Sequence, residues 1–234
     1  MTGTLYGVGL GPGDPELITL KAHRLVSTAQ VIAYPAPDTG PSFARKIAEG
    51  FIPPNVTEIP IVIPMRAERF PAQEVYDTAS AEIGAYLEAG QDVVTLCEGD
   101  PLFYGSFMYL FGRLAPRAKV EVVPGVTSLT ACASVAARPL CARNEVLSVL
   151  PGPLADDDLA ARLASGGAFA ILKVGRHLAR LRKVIAAAGL AKDAIYVAHA
   201  SLAQQAVLPL PDAPEDAPYF SMILIPGRDP YVTP

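Results

Sequence analysis

The stretch GVGLGPGDPELITLKA, Gly7 to Ala22, decides how the first part of this chain folds. Its first half places glycine at alternate positions within a short apolar run. Its second half begins with Asp14, a good N-cap, and Pro15, which suits the first position of a helix because its missing N–H is not needed there. Apolar residues then recur at helical spacing as far as Ala29. The stretch therefore predicts a strand, a tight glycine turn and a helix that begins at Pro15.

The glycine turn does not match either common nucleotide-binding loop. A GxGxxG fingerprint would need a third glycine where Pro12 or Asp14 stands, and no GxxxxGK[ST] sequence is present. Phosphate is also disfavoured physically, because Pro15 removes one N–H and Asp14 and Glu16 bring negative charge to the helix N-terminus. We therefore expect a ligand that is neutral or cationic near this turn, with a plain capped turn as the alternative.

Beyond this stretch, β-branched runs alternate with helical patterns. The predicted strands are LYGVGL, QVIAY, TEIPIVI, DVVTLC and KVEVV, and the predicted helices are SFARKIAE (stopped by Gly50), AQEVYDTASAEIGAYLEA and the segment from Phe103 to Leu114. Strands that alternate with helices are typical of a mostly parallel α/β sheet. We therefore expect a mostly parallel α/β domain over residues 1–123.

The pattern changes after Pro124. A helix at TSLTACASVAA precedes the predicted strands EVLSVLP, AFAILKV and AIYVAHA, which are separated by helices near Asp157–Ala164 and His177–Ala188. The strands AVLPLP and YFSMILIP then follow with no room for a long helix, which favours antiparallel pairing. We expect a second α/β domain with a mixed sheet over residues 124–234. The acidic triple Asp156–Asp158 is predicted to cap the helix that it begins.

Composition excludes several classes of function. The 234 residues carry a formal net charge of −4, which argues against a nucleic-acid partner. The longest run without a charged residue, 194–211, contains histidine, glutamine and proline and is a poor membrane span. Three cysteines without CxxC spacing fit reduced thiols, and with no basic N-terminal leader they predict a cytoplasmic protein. Three scattered histidines predict no metal site.

Two further turns resemble the first in their position after a strand. CEGDPLFYG (Cys97–Gly105) follows one predicted strand, and VVPGVTS (Val122–Ser128) contains the end of another. Ligands in parallel α/β sheets bind just beyond the carboxyl ends of the strands. Three such turns in one chain therefore predict a ligand site at that edge.

The three motifs, in this order, resemble those of the tetrapyrrole methylases, two-domain enzymes that use S-adenosylmethionine in a cleft between their domains. AYPAPDTGPSFARKIA, IPMRAERFPAQEVYDTA and GSFMYLFGRL are similar to the branch that methylates carbon 20 of precorrin-2 in cobalamin biosynthesis. The resemblance implies this fold, this cofactor and a homodimer. S-adenosylmethionine has no phosphate and a cationic sulfonium, so it is compatible with the acid-flanked turn.

Other functions stay open. A relative could act on cobalt-precorrin-2, on another corrin ring position, on uroporphyrinogen III, or on RNA or a protein side chain, although the acidic chain speaks against RNA. A non-catalytic protein that binds an adenosine ligand is a further alternative, which the intact motifs disfavour.

The resemblance also implies which residues touch the cofactor. They are Pro12, Gly99, Asp100, Phe103, Thr127, Ser128, Val174 and Ala200. Glu98 stands where some relatives have glycine, and Val174 and Ala200 stand where others have methionine and glycine, so these two residues could be plain strand ends. The acceptor of the proton released after methylation is left open among Glu98, Asp100 and Tyr104.

An acidic protein needs a local group of cations to bind precorrin-2, which carries eight carboxylates. The candidates are Arg45, Lys46, Arg66, Arg69, Arg113, Arg143 and Arg176. Arg66 and Arg69 are preferred as substrate-binding residues because Pro64 and Pro71 favour a loop there, directly after the strand TEIPIVI.

Overall fold

The computed structural model describes residues 2–64 and 71–227. The chain divides into two compact units, Met1–Thr127 and Ser128–Pro234. The sequence pattern places the boundary between residues 123 and 124. No helix in the described part of the chain is long and apolar enough to cross a membrane.

The first unit is a parallel sheet flanked by helices, and the α/β architecture predicted for it is confirmed. Its strands pair in the order β3-β2-β4-β1-β5, all parallel. In chain order the elements are β1 Thr4–Gly9, α1 Leu20–Ser27, β2 Val31–Pro37, α2 Phe43–Ile47, β3 Thr57–Ile63, α3 Pro71–Glu88, β4 Val93–Cys97, α4 Phe107–Leu114 and β5 Lys119–Val123.

Both faces of this sheet are covered, because its strands contribute apolar side chains to a separate buried cluster on each side. Leu5 of β1 packs with Leu110 of α4 in one cluster, while Val8 of the same strand packs with Val26 of α1 in the other. Gly7 lets the Phe107 ring lie against the backbone of β1, since a Cβ there would come within 2.5 Å of that ring.

The second unit has a mixed sheet with the order β6-β7-β10-β8-β9. Strands β6 and β7 are parallel, and β10 lies antiparallel between β7 and β8. Its elements are α5 Ser128–Val135, β6 Leu147–Pro151, α6 Asp156–Ala164, β7 Ala168–Leu172, α7 Leu178–Ala187, β8 Ile195–Ala198, β9 Ala206–Pro209 and β10 Ser221–Ile225. The carboxyl ends of β6, β7 and β8 therefore share one edge.

The helix predicted from Pro15 is wrong in its first part. Pro15–Leu17 forms a short 3₁₀ turn capped by Asp14, whose carboxylate accepts a hydrogen bond from the Glu16 N–H at 2.9 Å. Ile18 is extended and ends that turn, and α1 begins at Leu20 with a separate cap, the Thr19 hydroxyl. Local capping chemistry therefore splits one predicted helix into two pieces.

Two other helix ends also differ from the prediction. Helix α2 ends at Ile47, and Gly50 lies within a following 3₁₀ turn, Glu49–Phe51, rather than stopping the helix. Helix α4 begins at Phe107 instead of Phe103. Hydrogen bonds from the Leu102 and Phe103 N–H groups to Asp100 hold that segment as a turn.

The predicted side-chain cap at Asp156–Asp158 is wrong as well. Ala155 occupies the N-cap position and no side chain caps the helix, so the three aspartates form the first turn of α6. There they act by charge, because negative groups near a helix N-terminus interact favourably with its dipole. Asp156 also forms an ion pair with Arg180 of α7.

A polar cluster joins α2 to the edge of the first sheet. Arg45 donates two hydrogen bonds to Glu58, at 2.7 and 2.8 Å, and the Tyr34 hydroxyl donates a third at 2.6 Å. The bonds from Arg45 hold the pKa of Glu58 down, at about 2. Burial and Glu58 raise the pKa of Tyr34 to about 12. Glu58 is therefore a carboxylate that the folded state stabilises in its charged form.

This cluster predicts a loss of stability in acid. The folded-state pKa of Glu58 lies below the ordinary value of 4.5, so its stabilisation is complete above that pH and disappears as the pH falls towards 2. We expect Glu58→Gln to lower the free energy of unfolding at neutral pH by about 1–2 kcal/mol, a value reduced for partial solvent exposure. The difference from the wild type should vanish near pH 2.

Urea unfolding at a series of pH values measures this effect. Glu82→Gln, at an exposed position on α3, is the matched control and should follow the wild-type profile. Parallel acid profiles for the wild type and Glu58→Gln would contradict the assignment.

Candidate functional site

The three motif turns meet at one edge of the first sheet. They follow β4, β1 and β5, which are neighbours in that sheet, and parallel strands place their carboxyl ends together. The Leu10 N–H donates to the Cys97 carbonyl at 2.9 Å. Gly11 and Gly99 exchange two backbone hydrogen bonds, at 3.2 and 2.7 Å. The first two turns are therefore joined by their backbones.

Three glycines allow these turns to touch, and we call Gly9, Gly99 and Gly125 the glycine junction. A Cβ on Gly9 would lie 2.6 Å from the Gly125 nitrogen and 2.7 Å from the Gly99 oxygen. A Cβ on Gly125 would lie 2.9 Å from the Gly9 Cα and closer still to the Gly99 oxygen. No side chain fits at either position, so glycine is required for this close approach.

Asp100 ties the second turn to the third. One carboxylate oxygen accepts from the Leu102 N–H at 2.9 Å, and the other accepts from the Gly125 N–H at 3.0 Å. Asp100 therefore organises two loops at once, and a contact with a ligand would use the remaining lone pairs of its oxygens.

The other residues that the resemblance assigns to the first and third turns lie in the same loops. Pro12 is half-buried between two glycines of positive φ, and Thr127 is half-buried in the loop after β5. Phe103 is half-buried, with its ring edge-on to Tyr104 at 5.2 Å. Ser128 is exposed and begins α5.

Burial raises the pKa of two neighbouring side chains at the end of β4, Glu98 and Cys97. Burial raises the pKa of the Glu98 carboxyl, which the backbone N–H of Ala44 partly offsets. Burial raises the pKa of Cys97 well above its usual range, so this thiol stays protonated and is a packing group. Tyr104 is exposed and has a φ of 56°.

The carboxyl edge of the second sheet has a different construction. The Gly152 N–H after β6 donates to the Leu172 carbonyl of β7 at 2.7 Å. Val174 is fully buried within the core of this unit, and Ala200 is also buried. A ligand at these two positions would meet backbone atoms, since the Val174 side chain packs inward.

Sequence reasoning missed the strained backbone of this second edge. Three residues there have φ values of 56°, 51° and 68°, a backbone conformation that residues other than glycine seldom adopt: Lys173, His199 and Ser201. Because none of the three is a glycine, their residue types do not indicate this strain. The Nδ1 atom of His199 is buried and has no hydrogen-bond partner among the described residues.

Two of the arginines proposed for substrate binding have structural roles instead. Arg45 is held by Glu58, and Arg113 bonds to Asp77 at 2.7 Å and to the Tyr109 carbonyl at 3.0 Å. Arg66 and Arg69 lie outside the described residues. The remaining candidates, Lys46, Arg143 and Arg176, are exposed.

Within residues 2–64 and 71–227, no group of histidine, cysteine and acidic side chains could hold a metal ion.

Comparison with known proteins adds a family match and two similar proteins. The family model of the tetrapyrrole (corrin/porphyrin) methylases matches residues 4–213. The chain is 44% identical to the precorrin-2 C(20)-methyltransferase of a Sinorhizobium species, over 96% of each protein. It is 45% identical to the cobalamin biosynthesis protein CobIJ of Mycobacterium tuberculosis, over 96% of this chain and 46% of that protein. The chain thus spans about half the length of CobIJ.

A solved structure has the same fold. The uroporphyrin-III C-methyl transferase of Thermus thermophilus, complexed with S-adenyl homocysteine, matches with a TM-score of 0.68 over 95% of this chain and 97% of that one. The two sequences are 24% identical.

The double role of Asp100 predicts a defect in both stability and ligand binding. In Asp100→Asn an amide group replaces one acceptor oxygen and faces a backbone N–H, so one of two hydrogen bonds is lost. We expect the free energy of unfolding to fall by about 1–3 kcal/mol. Because the resemblance assigns Asp100 to the cofactor site, we also expect the affinity for S-adenosylhomocysteine to fall roughly tenfold, which corresponds to about 1.4 kcal/mol.

Thermal unfolding and calorimetric titration measure these two quantities. Asp14→Asn is the matched control, because asparagine caps a helix as well as aspartate does. The assignment fails if Asp100→Asn melts and binds like the wild type.

Proposed function

This chain belongs to the tetrapyrrole methylase family, and we propose that it transfers a methyl group from S-adenosylmethionine to carbon 20 of precorrin-2, giving precorrin-3A in cobalamin biosynthesis. The observation that carries the proposal is the 44% identity to the Sinorhizobium enzyme over 96% of both chains. A match of that extent includes both units and all three motif turns.

The geometry of the first edge supports S-adenosylmethionine as the methyl donor. Backbone atoms of the three turns lie close together at the glycine junction, and the Asp14 carboxylate already accepts a hydrogen bond from the Glu16 N–H that a phosphate would use. The proposed cofactor contacts are Pro12, Gly99, Asp100, Phe103, Thr127, Ser128, Val174 and Ala200. When bound, the cofactor supplies an electrophilic methyl group, and the chain supplies alignment, which is worth roughly 7–11 kcal/mol when well made.

The methylated carbon must then lose a proton. Both carboxylate oxygens of Asp100 already accept backbone N–H groups, so lone pairs on both oxygens are engaged in holding the loops. Glu98 is at the same edge with a pKa that burial raises, and a base works best when its pKa lies near the working pH. Glu98 is therefore the better proton acceptor of the two carboxylates.

The homodimer and the cytoplasmic location stay predictions.

Methyl transfer to isolated tetrapyrroles tests the proposal. We expect the purified chain to move a labelled methyl group from S-adenosylmethionine to precorrin-2, with the label at carbon 20 by NMR. Cobalt-precorrin-2 and uroporphyrinogen III are tested as alternative substrates, each in a separate reaction. Labelling of uroporphyrinogen III alone, or of another ring carbon, would contradict the proposed substrate.

Arg66 and Arg69 remain the proposed substrate-binding pair. Hydrogen bonds between charged groups contribute about 1.5–3 kcal/mol each. We therefore expect Arg66→Ala or Arg69→Ala to lower kcat/KM for precorrin-2 by roughly 10- to 150-fold. The melting temperature and the affinity for S-adenosylhomocysteine should stay near wild-type values.

Steady-state kinetics at low salt decides this point. Arg24→Ala, at an exposed position on α1, removes the same charge and should leave kcat/KM unchanged. If Arg66→Ala and Arg69→Ala both retain the wild-type kcat/KM, the substrate carboxylates bind elsewhere.

A further inference from the structure

Cations gather where β7 ends in the second unit. Lys173 directly follows the strand, Arg176 and His177 lie in the 3₁₀ turn Gly175–His177, and Arg180 follows in α7. We call these four residues the β7-edge cluster. They lie at the edge where the proposed cofactor contact Val174 is also found.

Arg180 is the structural member of this cluster. Its guanidinium pairs with Asp156 and also donates to the Gly152 carbonyl, so it joins α7 to the beginning of α6 and to the turn after β6. Its charge is thereby largely balanced. Arg180 has little capacity left for a ligand.

Arg176 is different, because its guanidinium is exposed and forms no hydrogen bond or ion pair within residues 2–64 and 71–227. All five of its N–H donors are available at that edge. A guanidinium of this kind can hold a carboxylate through two parallel hydrogen bonds.

Arg176 acts electrostatically on its neighbour His177. The pKa of the half-buried His177 is lowered, first by burial and then by the positive charges of Arg180 and Arg176. Helix α6 begins with Asp156, Asp157 and Asp158, of which Asp156 is paired with Arg180. An anion that binds beside Arg176 is therefore attracted by that exposed guanidinium, although the whole chain is acidic.

We propose that Arg176 binds a carboxylate side chain of the tetrapyrrole substrate and so orients the ring beside the cofactor contact at Val174. This inference rests on the proposed function, since it names how that substrate is held. Lys173, exposed at the end of β7, adds positive charge next to Arg176.

Equilibrium binding of a stable octacarboxylic porphyrin, uroporphyrin III, tests the proposal without catalysis. In the presence of S-adenosylhomocysteine, we expect Arg176→Ala to weaken binding by roughly ten- to hundredfold. Arg176→Lys keeps the charge but loses the paired donors, so it should recover only part of the affinity. Arg162→Ala, which removes an exposed arginine of α6 in the same unit, is the control and should bind like the wild type.

NMR titration of His177 provides a readout that a merely structural role would not change. Because Arg176 lowers the pKa of His177, Arg176→Ala should raise that pKa in the free protein. Uroporphyrin III should raise it in the wild type, since a bound carboxylate offsets the guanidinium charge, and should not raise it further in Arg176→Ala.

Kinetics with precorrin-2 separates this inference from the proposed function. Arg176→Ala should raise KM with little change in the affinity for S-adenosylhomocysteine. A wild type that methylates precorrin-2 while Arg176→Ala keeps its KM and porphyrin affinity overturns the inference alone, as does an equal loss in Arg162→Ala. A wild type that methylates no tetrapyrrole overturns the proposed function, and the porphyrin titration then still decides the role of Arg176.

Discussion

Backbone contact among Gly9, Gly99 and Gly125 is the constraint on which the first unit depends. The glycines follow or end three neighbouring parallel strands, and their atoms are so close that a Cβ on Gly9 or Gly125 would overlap the next turn. Asp100 then fixes the spacing by accepting backbone N–H groups from two of the loops. A ligand at this edge meets backbone held from several sides, which lowers the entropy that binding would otherwise cost.

The second unit reaches a comparable arrangement by other means. Its edge places Lys173, His199 and Ser201 at positive φ, where glycine would be relaxed and a side chain is strained. Each such residue costs on the order of 1–3 kcal/mol, and the hydrophobic core beneath the strands offsets that cost. The closest backbone contacts of the first edge therefore depend on glycines, whereas the second edge holds three residues with side chains in an unusual backbone conformation.

Ion pairing distinguishes three arginines of this acidic chain from Arg176. Each of the three forms an ion pair with a carboxylate on another helix or strand and so holds a helix in place: Arg45, Arg113 and Arg180. Arg176 has no such partner within the described residues and stays open to solvent. Because a paired guanidinium has already exchanged water for a carboxylate, only the unpaired kind gains much from a new anion. Charge counts along the sequence do not reveal this difference.

Local patterns in the sequence determined the alternation of strands and helices, because hydrophobic periodicity and turn residues act over a few positions. They also placed three glycine turns after strands and excluded a phosphate loop at Asp14 and Pro15. The helix from Pro15, the stop at Gly50 and the cap at Asp156–Asp158 were predicted wrongly, since capping there depends on which side chain reaches which N–H. Only the tertiary structure decided that β4, β1 and β5 are neighbours and that Arg45 faces Glu58. Those facts follow from contacts between residues far apart in the chain, which local spacing does not encode.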